Sequence, residues 1–210
     1  MTYFTYTDSP IGPLLLRSDG EALTGIYMDV PGGAPSGLSE WTEDSSARPF
    51  AATIRQLQEY FTGARREFDL PLRAQGTQFQ QRAWKSLSEI PYGETRSYGE
   101  QAKRIGNPRA SRAVGLANGS NPLPIVVPCH RVIGADGSLT GFGGGLERKR
   151  WLLSHEGVLD QRQRHGKDRA RVVRAVGRER PAVVKLRNEA HDVKAQAEMR
   201  FVIPPLAVLE

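Results

Sequence analysis

Cysteine is nearly missing from this 210-residue chain; the single one is Cys129. One cysteine cannot form an intramolecular disulfide, which excludes a disulfide-stapled secreted scaffold and fits a reducing compartment. No apolar run approaches the roughly 18 residues that a membrane-spanning helix needs. The opening Met1-Thr2-Tyr3-Phe4 has neither the basic region nor the apolar stretch of a signal peptide. A soluble cytoplasmic protein without membrane contact is the expectation. The glycine run Gly141-Phe142-Gly143-Gly144-Gly145 lacks the lysine and preceding strand of a phosphate loop. Residues 1–75 contain no metal cluster or catalytic constellation, so that half reads as scaffold.

Charge is present and uneven. The net is −4 over residues 1–75, +5 over 76–157 and +5 over 158–210. A polyanion, if there is one, is met by the second half; a solvated basic surface fits the charge equally well.

Short runs of aromatic and branched residues open the chain: Tyr3 to Thr7, Leu14 to Arg17 and Leu23 to Met28. Turn residues separate them, which predicts an antiparallel meander. Pro31 to Ser46 reads as a surface loop. Ile54, Leu57, Gln58 and Phe61 share one helical face that Gly63 ends, and Glu67 to Leu72 alternates as an edge strand. Arg73 to Gly76 reads as a linker. Two capping boxes follow, Thr77 with Gln80 and Ser97 with Glu100, each opening a helix. Asn107-Pro108 predicts a third helix, with Asn107 as N-cap and Ala110, Ala113, Val114 and Ala117 as its buried stripe. Arg109 and Arg112 then share another face. The last two helices read either as a helix-turn-helix or as an ordinary helical hairpin with solvated arginines. A last helix spans about Leu146 to Glu156, burying Leu146, Leu152 and Leu153, with Gly157 after it.

Cys129 closes the apolar run Ile125-Val126-Val127-Pro128 and is followed by His130 and Arg131. A thiolate is a strong nucleophile when its surroundings lower its pKa, whereas a buried lone cysteine is often a small core residue. Glu156 stands in the last turn of a helix, where a carboxylate opposes the macrodipole at a cost of about 0.3–1 kcal/mol. Either Gly157 and solvent make this tolerable, or Glu156 turns toward a cation or a histidine N–H.

Ile125-Val126-Val127-Pro128-Cys129-His130-Arg131-Val132-Ile133 resembles the active-site signature of the O6-alkylguanine-DNA alkyltransferases. Pro91-Tyr92-Gly93-Glu94-Thr95, Ser111-Arg112-Ala113-Val114-Gly115, Asn121-Pro122 and Trp151-Leu152-Leu153-Ser154-His155-Glu156-Gly157 are similar to further segments of that family, in order and at family spacing. The resemblance is strong over 77–157, loose over 1–75 and absent over 158–210. It implies an α+β fold, with a small N-terminal antiparallel sheet plus helix (1–75) and a mostly helical helix-turn-helix part (76–157) that binds DNA and carries the active site. The implied partner is double-stranded DNA containing O6-alkylguanine, met in the minor groove by a monomer with its target base flipped out. The implied reaction moves the alkyl group irreversibly to Cys129, once per molecule and without cofactor or metal.

In that reading His130 takes the thiol proton through a water, Glu156 orients His130, and Tyr98 protonates the departing base. Arg112 fills the gap left in the duplex, Arg109, Ser111, Ala113 and Gly115 face the DNA, and Asn121 braces the turn before the active site. The implied base pocket consists of Tyr98, Pro124, Val127, Phe142 and Gly143, with backbone carbonyls near Cys129 holding the guanine amino group. Phe142 departs from the tyrosine of many relatives, and no Cys/His cluster near the N-terminus matches the zinc site of some. Two rivals are a lesion-binding protein that transfers nothing, which Cys129 opposes, and a thiol hydrolase, which leaves Arg112 unexplained. The Arg-rich 158–210 is expected to be poorly ordered.

Overall fold

The computed structural model describes residues 1–28 and 35–159. Its first half is a four-stranded sheet with one helix against it. Strands β1 (Tyr3–Thr7), β2 (Leu14–Ser18) and β3 (Leu23–Tyr27) form the expected antiparallel meander, with Tyr3 opposite Ser18 and Leu16 opposite Ile26. A two-residue strand, β4 (Thr42–Glu43), joins the other side of β1 in parallel, so the sheet is mixed in the order β3-β2-β1-β4. Strand β4 lies inside Pro31 to Ser46, which was read from sequence as a surface loop, so that reading fails at Thr42–Glu43.

The edge strand expected at Glu67 to Leu72 does not form; that segment makes only a bridge between Leu72 and Leu23. Pro71 has no N–H to give a ladder. The backbone of Asp69 is instead satisfied by the Gln56 amide, whose Nε2 donates to Asp69 O at 2.7 Å and whose Oε1 accepts from Asp69 N at 2.8 Å.

Helix α1 (Phe50–Phe61) buries Phe50, Thr53, Gln56, Leu57 and Tyr60. Its inner stripe is thus rotated by one position from the expected Ile54/Leu57/Gln58/Phe61 face, and Tyr60 becomes the innermost aromatic at its C-terminal end. Phe50, Leu57 and Tyr60 belong to the same apolar cluster as Leu14, Leu16, Leu23, Trp84, Leu87, Leu123, Val127 and Leu152. Burying each such side chain stabilises the fold by about 1.5–3 kcal/mol. The cluster is continuous across residue 75.

Both capping boxes are present, opening α2 (Gln78–Leu87) and α3 (Tyr98–Arg104). Helix α4 runs Ser111–Gly119 and starts later than expected. The Asn107 N–H closes the end of α3 on Ala102 O at 2.9 Å, so Asn107 belongs to the inter-helix turn and caps nothing. The buried face of α4 is Val114, Ala117 and Asn118; Ala113 is exposed beside Arg112 and Leu116. The α3–α4 pair is locked by a reciprocal buried amide pair. Asn118 Nδ2 donates to Gln101 Oε1 at 2.7 Å, and Gln101 Nε2 returns a bond to Asn118 Oδ1 at 3.2 Å. Trp84 Nε1 on α2 donates to Ala117 O at 2.7 Å and ties that pair to the core.

Two short parallel strands, β5 (Arg96–Ser97) and β6 (Val132–Ile133), bring the start of α3 beside the segment that follows Cys129. Helix α5 (Leu146–His155) comes last, with Leu152 and Leu153 buried but Leu146 exposed, contrary to expectation. Val158 and Leu159 pack with Ile133 and Leu153, so the folded part extends two residues past the expected boundary at 157. The expected disorder of 158–210 otherwise falls outside the described residues. No described helix is long and apolar enough to cross a membrane.

Candidate active site

Cys129, His130 and Arg131 form one 3-10 turn between the apolar run and β6. The backbone before it is strained: Ile125, a β-branched residue, has φ 75, a conformation such residues rarely adopt. Asn121 spans the base of this segment, with its Nδ2 donating to Val127 O at 2.8 Å and its Oδ1 accepting from Leu123 N at 3.0 Å.

Glu156 is the C-cap of α5 and is aimed inward by the turn that follows it. Gly157 adopts φ 76, its N–H bonds Ser154 O at 3.1 Å, and Val158 N bonds Leu153 O at 2.9 Å. These two bonds make a Schellman motif, with Leu153 and Val158 as its apolar contact. Five donated bonds converge on the buried carboxylate. Oε1 accepts from Tyr60 Oη at 2.8 Å, His130 Nε2 at 2.8 Å and Arg131 Nη2 at 2.9 Å; Oε2 accepts from Arg131 Nε at 2.8 Å and Gly93 N at 3.3 Å. Burial pushes the Glu156 carboxyl upward, but His130 and Arg131 outweigh it and hold the group far below the usual carboxylate range. The macrodipole cost is therefore offset by a fixed cation.

An ionised Glu156 can only accept, so His130 Nε2 must carry the proton on that side. Burial, together with Arg131 and Lys149, keeps the imidazole below its ordinary value against the pull of Glu156. His130 is thus neutral near pH 7, and its Nδ1 carries the free lone pair. That nitrogen is buried and has no partner among the described residues. Burial raises the Cys129 thiol, while Asn121, Lys149 and the local backbone N–H groups favour the thiolate. Cys129 is therefore a protonated thiol near neutrality, and the adjacent neutral imidazole carries a free lone pair.

The thiol borders a cleft of about 220 Å³. Pro124, Phe142 and Gly143 of the implied pocket line it, joined by Asn121, which was expected only to brace the turn, while Ile26, Tyr27 and Met28 from the β3 end form a wall that sequence reasoning missed. Tyr98 and Val127 are not among the lining residues. The Tyr98 hydroxyl faces the carbonyls of Thr140 at 2.9 Å and Gly141 at 3.2 Å. The Val127 carbonyl already accepts from Asn121 Nδ2 and from Cys129 N at 2.9 Å, which leaves it no lone pair for a base amino group. Gly115 is half-buried against Tyr98, a Cβ there lying 3.6 Å from the ring. Arg109, Arg112 and Ala113 are exposed on or just before α4, Ser111 is half-buried, and neither arginine has an acidic partner among the described residues.

Lys149 is a further residue the sequence did not single out. Its ammonium is fully buried, donating to Val132 O at 2.5 Å and Thr140 O at 2.6 Å. Burial lowers it from 10.5 to about 8 despite the attraction of Cys129. A lysine inside the charged run Glu147-Arg148-Lys149-Arg150 looks like surface in sequence; only helical phase relative to Leu152 and Leu153 hints otherwise. Among the described residues no group of His, Cys, Asp or Glu is arranged to hold a metal.

The fold thus brings together a buried lone thiol, an adjacent carboxylate-held imidazole and an amide-locked helix pair on a helix-turn-helix frame. Two family profiles then account for nearly all of the described chain. The 6-O-methylguanine DNA methyltransferase ribonuclease-like domain matches residues 2–74, and the DNA binding domain of the same family matches 78–158. The methylated-DNA–protein-cysteine methyltransferase of Mycobacterium tuberculosis is 56% identical over 156 residues, covering 74% of this chain and 93% of that one. Its namesake from Methanosarcina acetivorans is 50% identical over 162 residues, covering 74% and 98%. The crystal structure of Mycobacterium tuberculosis OGT in complex with DNA superposes with a TM-score of 0.68 at 55% identity, covering 73% of this chain and 92% of that chain. The chain belongs to the 6-O-methylguanine DNA methyltransferase family.

Proposed function

We propose that the chain repairs DNA by moving the alkyl group of O6-alkylguanine to Cys129, one group per molecule. The observation that carries this reading is the pairing of the only cysteine with a neutral histidine. The Nε2 of that histidine is tied to Glu156, and its Nδ1 is unpartnered. That free nitrogen supports His130 as the general base, and the thiol beside it borders a cleft. The thiol proton passes to His130 Nδ1 through a water, and the sulfur attacks the alkyl carbon. A C–S bond forms while the C–O6 bond breaks, and the bonding pair stays on the guanine, which takes up a proton. Tyr98 supplies that proton after its hydroxyl turns from Thr140 O to the base. The product thioether has no leaving group, so the molecule reacts once.

The target base reaches the cleft by leaving the duplex stack. The exposed face of Arg109, Arg112 and Ala113 meets the minor groove, with Arg112 filling the gap. One chain acts on one duplex, in the cytoplasm, where the thiol stays reduced.

Intact-protein mass spectrometry after mixing with duplex containing O6-methylguanine tests the proposal. The expected result is one added methyl per chain, mapped to Cys129 and absent from Cys129→Ser. Repeated turnover, or modification elsewhere, overturns it.

A further inference from the structure

The N-terminal half contributes one polar group to the centre of the transfer site. Tyr60, near the C-terminal end of α1, is fully buried and donates its hydroxyl to Glu156 Oε1, the oxygen that also receives His130 Nε2. It is clamped from several sides. Its ring lies 5.3 Å from Phe61, 5.5 Å from Phe68, 6.1 Å from Tyr92 and 5.2 Å from His155. Its carbonyl accepts from His155 Nε2 at 2.7 Å. His155 precedes Glu156, so Tyr60 grips the end of α5 through both main chain and side chain.

We propose that Tyr60 is a positioning residue for the transfer chemistry, its hydroxyl fixing the Glu156 oxygen that orients His130. This rests on the alkyl-transfer reading, and the physical argument is one of shared charge. Three donors crowd Oε1, and two of them, His130 and Tyr60, come from separate halves of the chain. A carboxylate oxygen that accepts more bonds holds less charge for each, so Tyr60 weakens the hold of Glu156 on an imidazolium. The groups facing His130 and Glu156 are Tyr60 from α1, Tyr92 before β5, Arg131 and Cys129 in the same turn, and Lys149 from α5. Of these, Tyr60 is the neutral donor bonded to the shared oxygen. Burial and the Glu156 charge raise its own pKa well above 10, so it stays a donor throughout the working range.

Removing the hydroxyl concentrates charge on Oε1 and favours protonated His130. In Tyr60→Phe, the His130 titration midpoint, followed by NMR of labelled imidazole, should rise by about half a pH unit or more. The acid limb of single-turnover transfer from free O6-benzylguanine should move upward with it. Replacing Tyr60 by 3-fluorotyrosine keeps the ring and strengthens the donor, so the midpoint should fall. Phe61→Leu loosens the same aromatic cluster and should lower stability without moving the midpoint. An unchanged His130 midpoint in both Tyr60 variants, or an equal shift in Phe61→Leu, overturns the proposal and leaves Tyr60 as packing alone. Midpoint shifts in the expected directions, in a wild-type protein that transfers no alkyl group, support the positioning and overturn the transfer reading instead.

Discussion

Arg131 and Glu156 form a two-pronged ion pair, with Nε on Oε2 at 2.8 Å and Nη2 on Oε1 at 2.9 Å, buried from solvent. The third guanidinium nitrogen, Nη1, bonds Ile90 O at 2.7 Å, and the Tyr92 ring lies 5.8 Å from its centre. Planar matching of this kind is a property of arginine, and a lysine reproduces only its charge. The pair holds the carboxylate that bonds His130 Nε2.

Glu156→Gln tests that dependence. It strands a buried guanidinium and should destabilise the fold by about 3–5 kcal/mol in urea titrations. Transfer from O6-benzylguanine should also fall steeply, because an amide does not enforce the Nε2–H tautomer. Wild-type stability in the variant would falsify the ion pair's role.

Acid should weaken the protein in two stages. The folded His130 resists protonation below its ordinary 6.5, whereas the unfolded chain takes up the proton, so stability declines as pH falls through that value. Glu156, depressed in the folded state from 4.5, adds a second decline below that pH. Transfer from free O6-benzylguanine depends on the same neutral imidazole. It should be level between about pH 7 and 8 and drop in acid. A rate climbing about tenfold over that interval would mean that solvent hydroxide, not His130, removes the thiol proton.

Lys149 has the opposite pH signature to most lysines. Its folded value of about 8 lies below the ordinary 10.5, so the unfolded chain binds more proton between those limits and stability gains with rising pH. Relative to Lys149→Met, the native protein should gain on the order of 3 kcal/mol across that window, since each unit corresponds to about 1.4 kcal/mol. Parallel stability curves for the two proteins would show that the ammonium is not desolvated.

Arg112→Ala separates base extrusion from chemistry. Repair of duplex should slow at least about tenfold, because nothing then fills the vacated stack. Transfer from free O6-benzylguanine should be unaffected. Equal losses on both substrates would assign Arg112 to the pocket or the fold.

Much of this was legible because the signals were local. The capping boxes at Thr77 and Ser97 use neighbouring residues, as do the Gly157 stop and the Cys129-His130 adjacency, and all appear where read. Misreadings came where distant partners decided. Gln56 satisfied the Asp69 backbone and removed a strand, and the core chose a different face of α1, bringing Tyr60 inward. Lys149 was hidden because burial of an ammonium depends on the carbonyls of Val132 and Thr140; helical phase puts the position inward but says nothing of those acceptors. The late start of α4 went with Asn107 using its N–H on Ala102 O and its carbonyl on Ala110 N within the inter-helix turn.

The chain's end offers a sharper test of where the fold stops. Truncation after Leu159 should preserve stability and the free-base reaction, whereas truncation after Gly157 removes Val158 and Leu159 from their contacts with Ile133 and Leu153. Burial of two such side chains contributes about 3–6 kcal/mol, so the shorter protein should unfold well before the longer one on heating. Identical melting would show that those two residues carry no weight.

The bond from Ile26 N to Pro122 O, 2.8 Å long, joins the edge of β3 to a residue made nearly a hundred positions later. During synthesis at about 5–20 residues per second, the Ile26 end of that edge waits several seconds unpaired. The same delay applies to Tyr60, whose acceptor is Glu156. Closure is therefore non-local and late, and non-local pairing is intrinsically slow. The ribosome-bound intermediate exposes Leu23, Ile26 and Met28, which the finished protein covers, so chaperone engagement should be strongest before residue 122 emerges.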